Sequence, residues 1–448
     1  MKSAHCLFCS IITVFAVVGT ACATEYHLTN TVFIQNWNIS GNWSPNGVPN
    51  SPADAVIFSD SNDTSDMVRN VQIYGSRTVG VLRVESSTNN YLLNVDWAFM
   101  NDPLVLQSTG GNARLEVVAL NNTKEGYNGN MRMNTGGGAL LFASDTDVLV
   151  TNGSGTIAKM TTELALTGSG TINRYGNGLW LIDGSGPWED YTGTVNLYSG
   201  ETAINNDPTV FSNAMAVIVH RTSRLDLGQT PASDFTHTLP LVLDGGTLYV
   251  GPCNNRRLTH VTVTKDSLID AAERTLILVG TLSGTGTVSQ VGTGNLWFAN
   301  CHVHPGFGTG ILTIKSEGSS TDGTLLFGTN TAPVTLHIEV NNGGVAGTNY
   351  DQVVLTNLAA GEDVNLTNVN VVFSGAGSEN ATNWFLVTDR MLGGSTLNDV
   401  SSSPGLLSTI VYDYPNKRVG AVVVVPEPAL LGGLAILAIL GYRKHTAI

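Results

Sequence analysis

Two stretches of this chain read almost alike: LTGSGTINRYGNGLWLI at residues 166–182 and LSGTGTVSQVGTGNLWF at residues 282–298, the second with one residue inserted before its Leu-Trp pair. The core GSGTI also stands at residues 153–157, just ahead of its copy at 168–172. Related pieces surround them: LDLG at 225–228, LDGGTLYVG at 243–251 and GTLLFG at 323–328. Each reads as a short strand closed by glycine. No such strand buries its apolar face alone, so it must stack on like neighbours about 4.8 Å away. Gly and Asn accept the positive φ angles of corners, while Thr, Val, Ile and Leu fill pleated walls. The expected fold is all-β, a parallel β-helix; an array of β-sandwiches built from the same strands is the alternative.

Composition agrees and removes one class of function. Charged residues make up 12% of the 448, and Gly is frequent at 50. The formal net charge of -14 argues against a nucleic-acid partner, whose binding rests on Lys and Arg neutralising phosphates. Basic residues stand together at most in pairs, as at Arg443-Lys444. An acidic surface reads as a solubility feature, or as one able to hold divalent cations outside a cell.

The central motif resembles the autotransporter-associated β-strand repeat, whose form is a Gly-Ser-Gly-Thr strand, a second strand after a Gly-x-Gly turn, and a Tyr-Thr-Gly turn. Gly168-Ser169-Gly170-Thr171, Gly176-Asn177-Gly178 and Tyr191-Thr192-Gly193 match it in order. The second copy keeps Gly284-Thr285-Gly286-Thr287 and Gly292-Thr293-Gly294 and lacks the Tyr-Thr-Gly. Residues 41–58 (GNWSPNGVPNSPADAVIF) and 346–357 (AGTNYDQVVLTN) look like companions of such repeats in exported surface proteins. The resemblance touches about a third of the chain. It implies a right-handed β-helix at a cell surface and no activity.

Both ends carry address signals. Lys2, the apolar residues 7–18 and the small-x-small pattern Ala21-Cys22-Ala23 read as a secretory signal peptide cleaved after Ala23. A lipoprotein reading, with Cys22 as the lipid-bearing residue, wants a leucine-like residue where Gly19 stands. At the other end, Pro426-Glu427-Pro428 precedes the apolar run 429–440 and the basic pair Arg443 and Lys444. That run is short for a spanning helix, which needs about 20 residues. The basic pair would stay cytoplasmic and leave the preceding chain outside. This arrangement resembles the PEP-CTERM sorting signal. The resemblance implies transient insertion of a hydrophobic helix in the inner membrane of a Gram-negative bacterium. It also implies processing by an exosortase and delivery to the outer surface or extracellular matrix. An ordinary C-terminal anchor that stays in place is the alternative.

The expected organisation is therefore a signal peptide (1–23), an N-terminal cap (24–60), a β-helix repeat region (61–330), a C-terminal β region forming a cap or small sandwich (331–422), and the sorting signal (423–448). Cys253 and Cys301 alone would remain after export, and their spacing leaves pairing open.

Candidate chemistry is sparse. In CHVHPGFG, residues 301–308, His302 and His304 share one side of a strand, but Cys301 faces the other and no second cluster supplies further ligands, so no metal is expected. Trp188-Glu189-Asp190-Tyr191 offers aromatic rings beside carboxylates, yet adjacent strand residues face apart and cannot flank one glycosidic bond. Trp188 and Tyr191 remain possible carbohydrate contacts. Trp180 and Trp297, at matching places in the two copies, would form a sugar platform if they shared an outward face, and core residues otherwise. No nucleotide, hydrolase, zinc-protease or calcium motif appears in the sequence. No catalytic residue and no cofactor is assigned. A true autotransporter would end in a membrane barrel where this chain has a short tag. The expectation is a non-enzymatic surface or matrix protein; a polysaccharide-binding or polysaccharide-degrading protein on the same scaffold is the alternative.

Overall fold

The computed structural model describes residues 24–425, apart from 30–33, 60–66, 87–92, 100–101, 120–128, 135–137, 154–157, 184–189, 206, 229–233, 252–254, 307, 317–323, 330, 342–343, 359–363, 378–380, 391 and 394–395. The leader with Ala21 and Ala23, and the tail with Pro426, Glu427, Pro428, Arg443 and Lys444, lie outside the described residues; so do Trp188 and Cys253.

The protein is all-β, and its strands form a long, mostly parallel sheet consistent with a solenoid. In one ladder the register runs Ile172↔Val195↔Val217↔Leu241↔Val261↔Leu282↔Val303, in steps of 23, 22, 24, 20, 21 and 21 residues. Each step is one turn of chain. A second ladder joins Leu179–Asp183 to the later half of Thr194–Asn205, then Ala216–Asp226, Thr247–Tyr249, Ser267–Asp270, Thr287–Val291 and Ile311–Lys315. A third holds Leu104–Leu106, Ala139–Phe142 and Ala165–Gly168 earlier in the chain. Later it holds Phe235–His237, the first halves of Arg256–Lys265 and Thr275–Gly284, then Asn295–Phe298 and Leu325–Phe327. Long strands turn the corner between walls: Thr194–Asn205 pairs through residues 195–197 in the first ladder and through 201–205 in the second.

The two sequence repeats do not occupy equivalent walls. The strands of the first copy, Ala165–Gly168, Ile172–Tyr175 and Leu179–Asp183, lie in the third, first and second ladders. Those of the second copy lie in the first, second and third, through residues 282–284, Thr287–Val291 and Asn295–Phe298. The motif encodes strand, turn, strand, turn, strand, and is indifferent to which wall it starts on.

Alternation makes the core. Val334–Asn341 alternates buried and half-buried residues along its length, as a strand with one wet face should. The seven residues of the first register above are all buried, so each side chain sits on its counterpart one turn away. Outward positions stack too: Asn173 donates to Asp147 at 3.2 Å, and Asn196 to Asn173 at 3.0 Å.

Corners bury polar groups that are answered locally. Arg174 is fully buried; it donates to the carbonyls of Tyr175, of Gly176 at 3.1 Å and of Gly178 at 2.5 Å, clamping the Gly-Asn-Gly turn. Burial lowers its pKa to about 10. In the second copy Gln290 takes the place of Arg174 and donates to Gly294 at 2.8 Å. One buried donor per turn is thus kept while its charge is not.

At the N-terminal end, Glu25–Leu28 pairs antiparallel with Trp43–Ser44 and parallel with Ser51–Ser59. Trp37 and Trp43 meet edge to face at 5.1 Å, and Trp43 meets Phe58 at 5.9 Å. The change of character expected near residue 330 is not a break in pairing. His302–His304 pairs in parallel with Val334–Asn341, which pairs with Val369–Gly377 and then Asp399–Ser402. Towards the C-terminal end, Leu407–Asp413 and Arg418–Val424 form an antiparallel hairpin, whose second strand also pairs antiparallel with Asn383–Thr388. Among the described residues no helix is long and apolar enough to cross a membrane.

Candidate functional site

The first ladder carries one outward position, just past its last buried residue, that changes chemistry from turn to turn. Following the register Arg174↔Leu197↔Val219↔Leu243, the next residues are Tyr175, Tyr198, His220 and Asp244, and Asp244 pairs with Lys265. The rings of Tyr175 and Tyr198 stack at 5.0 Å and 7°, and those of Tyr198 and His220 at 4.4 Å and 5°. His220 Nδ1 then lies 2.9 Å from Asp244 Oδ2. Lys265 Nζ donates to the same oxygen at 2.7 Å, and Thr264 Oγ1 to Asp244 Oδ1 at 2.8 Å. Desolvation would push the Asp244 carboxyl up, but hydrogen bonds from Lys265, Thr264 and His220 outweigh it and hold its pKa below the usual range. The Tyr175 phenol is pushed up by burial, then by Asp147 and Tyr198.

Beside this column opens a groove of about 850 Å³, where Arg221, Gly245 and Asp266 join Tyr198, His220, Asp244 and Lys265. That volume is in the range of small-molecule sites. Two cations and two carboxylates line it, so it offers donors and acceptors in alternation. Stacking between Tyr175 and His220 covers both faces of the Tyr198 ring, which leaves the exposed Tyr175 and the polar heads as the accessible chemistry. His220 and Asp244 form an oriented imidazole–carboxylate pair, but His220 Nε2 is buried and has no hydrogen-bond partner. Shielded from solvent, it cannot take a proton from a molecule in the groove in this arrangement.

None of these residues was singled out from sequence. The signal was present in the endings of aligned strands: in VNLY, VIVH and LVLD an outward residue follows an apolar one at the approach to a turn, while in INRY it follows Arg174 and in VTVTK it follows Thr264.

Of the expected carbohydrate contacts, the described Trp180, Tyr191 and Trp297 do not share an exposed face. Trp180 is fully buried, with Nε1 donating to Thr162 Oγ1 at 3.0 Å. Tyr191 is fully buried as well, its hydroxyl donating to Gly170 O or Thr194 O, which lie at 2.8 and 2.9 Å. Burial pushes its phenol pKa well up without altering that structural role. Neither leaves a ring face for a sugar. Trp297 is 37% exposed, on the outer side of its wall. The inserted Asn295 explains the difference. Counting from the Gly-x-Gly turn, Leu296 takes the inward place of Trp180, and Trp297 moves to the opposite face, as a period of two requires.

In CHVHPGFG, Cys301 is buried, and burial pushes its thiol up to about 12. His302 and His304 face out and meet His337 of the following turn. Among the described residues, no group of three or more His, Cys, Asp or Glu side chains is arranged to hold a metal ion.

The chain matches no family model, no curated protein and no solved structure.

Proposed function

We propose that this chain is an exported, right-handed parallel β-helix protein of a Gram-negative cell surface or extracellular matrix. It passes through the inner membrane transiently by its C-terminal hydrophobic helix and is released by an exosortase. Its role is structural or adhesive, without catalysis. The observation that supports this best is the unbroken parallel pairing through successive turns, with an apolar interior and outward ladders of Asn, Asp and Thr. Such a rod displays a long polar surface at small cost in core volume.

The test is the intact mass and C-terminal sequence of the protein from native membrane and extracellular fractions. Loss of everything after Pro428, with release or a new attached mass, is the expected result. An intact Ile448 in the membrane fraction would sink the sorting step and leave a tail-anchored periplasmic protein.

The groove favours a second reading, in which the same rod binds extracellular polysaccharide. Arg221 and Lys265 as donors, with Asp266 and Asp244 as acceptors, suit a hydroxyl-rich polymer lying along the column. Co-sedimentation with polysaccharide from the host matrix tests it.

A further inference from the structure

The turn formed by Ala216–Asp226 carries an extra residue at the corner beside the groove. Val219 pairs with Leu197 and Thr222 with Ser199, so His220 and Arg221 together stand opposite Tyr198. On the other side His220 pairs with Asp244 and Arg224 with Thr247, so residues 221–223 stand opposite Gly245 and Gly246 alone. An inserted residue of this kind re-aims a side chain away from the ladder. Here Arg221 is exposed and lines the groove. A Cβ at Gly245 would lie 3.4 Å from that of Arg221, so the next turn brings its backbone close and sends no side chain over the guanidinium.

The other charges of the groove are committed to partners. Lys265 and His220 share Asp244 Oδ2, and Thr264 takes Oδ1. Asp266 Oδ1 accepts from Thr287 N at 3.2 Å. Among the described residues, only Arg221 of these charged groups makes no hydrogen bond, ion pair or ring contact. Its planar fork of donors is therefore unspent, and that fork matches the two oxygens of a carboxylate. The chain's net charge of -14 exerts no general pull on polyanions, so an anion held here is held by local contact.

We propose that Arg221 binds the carboxylate of a uronate residue in an acidic polysaccharide, through two parallel hydrogen bonds. This rests on the polysaccharide reading of the groove and names its sugar class. Hydroxyls of the bound sugar donate to the second oxygen of Asp266 and accept from the remaining N–H groups of Lys265. A neutral sugar would displace water from the fork and leave it unanswered, which costs affinity. One uncommitted cation answers one negative charge per sugar, whereas a densely sulfated chain would set further charge against Asp266.

The test is calorimetric titration of the full chain at pH 7 with hexamers of galacturonate, glucuronate and mannuronate. Each is used as the free carboxylate and as the methyl ester, which keeps the ring and removes the charge. At least one free hexamer should bind, with its ester about tenfold weaker or worse. Arg221→Gln should weaken the free form by about tenfold or more and leave the ester unchanged, and Arg221→Lys, which keeps the charge without the fork, should recover only part of that loss. Circular dichroism confirms that each variant folds. Equal binding of carboxylate and ester, unmoved by Arg221→Gln, would overturn the uronate assignment and leave a groove for neutral polysaccharide. So would dextran sulfate binding more tightly than every uronate, or failure of all the hexamers while host polysaccharide still co-sediments. Failure of the hexamers and of host polysaccharide together would remove the polysaccharide reading as well.

Discussion

Gly284 is where the repeat comes closest to its neighbour. Its φ is +115°, and a Cβ there would lie 1.9 Å from the Val263 carbonyl oxygen. The same oxygen accepts from Thr285 N at 3.0 Å and Gly286 N at 3.2 Å. Gly111 also has a positive φ, +83°, yet a Cβ there would meet nothing within 4 Å. Gly111→Ala therefore isolates the backbone cost, about 1–2 kcal/mol. Gly284→Ala adds the clash. Since Cβ atoms essentially never come within 3.0 Å of another atom, the carbonyl must retreat by roughly 1.1 Å, the difference between 3.0 and 1.9. Both hydrogen bonds then leave bonding range, which costs about 3 kcal/mol more in lost bonds and an unpaired carbonyl. Unfolding entropy of about 2.1 cal/mol/K per residue gives ~0.8 kcal/mol/K for roughly 400 folded residues. Scanning calorimetry should therefore show Gly284→Ala melting about 6 °C lower than the parent and Gly111→Ala about 2 °C lower. Variants that melt within 1 °C of one another would refute the claim that this glycine serves close approach between turns.

Trp180→Ala should cost about 3–5 kcal/mol and Trp297→Ala under about 1 kcal/mol, because only the first empties a core site; equal losses in urea unfolding would mean the register flip is wrong. His237 is buried, neither ring nitrogen has a hydrogen-bond partner among the described residues, and burial, then Arg256, holds its pKa at about 3. The unfolded chain takes up this proton near pH 6.5 and the native state does not, so its contribution to stability is lost as pH falls from about 6.5 towards 3. His237→Phe should flatten that fall when urea midpoints at pH 7 and pH 4 are compared; a parallel decline in both proteins would remove His237 as its source. In the groove, Lys265→Ala and Asp244→Asn should each weaken association with host polysaccharide about tenfold, the weight of one charge-assisted hydrogen bond. Co-sedimentation unchanged in both would end the polysaccharide reading.

The strands and their Gly corners were legible because each obeys a local rule. Thr, Val, Ile and Leu alternate along the walls, and Gly168 and Gly284 both take positive φ against a neighbouring carbonyl. What local rules do not carry is phase. Trp180 and Trp297 match by eye, and one inserted residue sends them to opposite faces. The same limit hid the candidate site. Tyr175, Tyr198, His220 and Asp244 become neighbours only once the turn length is known, and that length varies from 22 to 24 residues across those turns. His337 stands 35 positions from His302, although its nitrogen lies 2.9 Å away. A histidine pair on one strand could be seen in the sequence, but its partner on the next turn could not.

This division between local and stacked information bears on how such a chain can acquire function. An inward residue is fixed by the counterparts on which it sits, so Leu197, Val219 and Leu243 vary only among aliphatics. The outward residue one place later is bound by no such fit and runs Tyr, Tyr, His, Asp, Lys along the same axis. Its neighbours are set by stacking alone, so a change at one turn creates a new pair with the turns on either side and leaves the core untouched. The groove lies where that column passes from stacked rings to paired charges. Substitutions in the column should therefore move ligand affinity at nearly constant stability, while substitutions one residue earlier should do the reverse. Tyr198→Ala beside Leu197→Ala is the sharpest form of that contrast: a large melting shift in the first, or none in the second, would mean that the outer column holds the rod together.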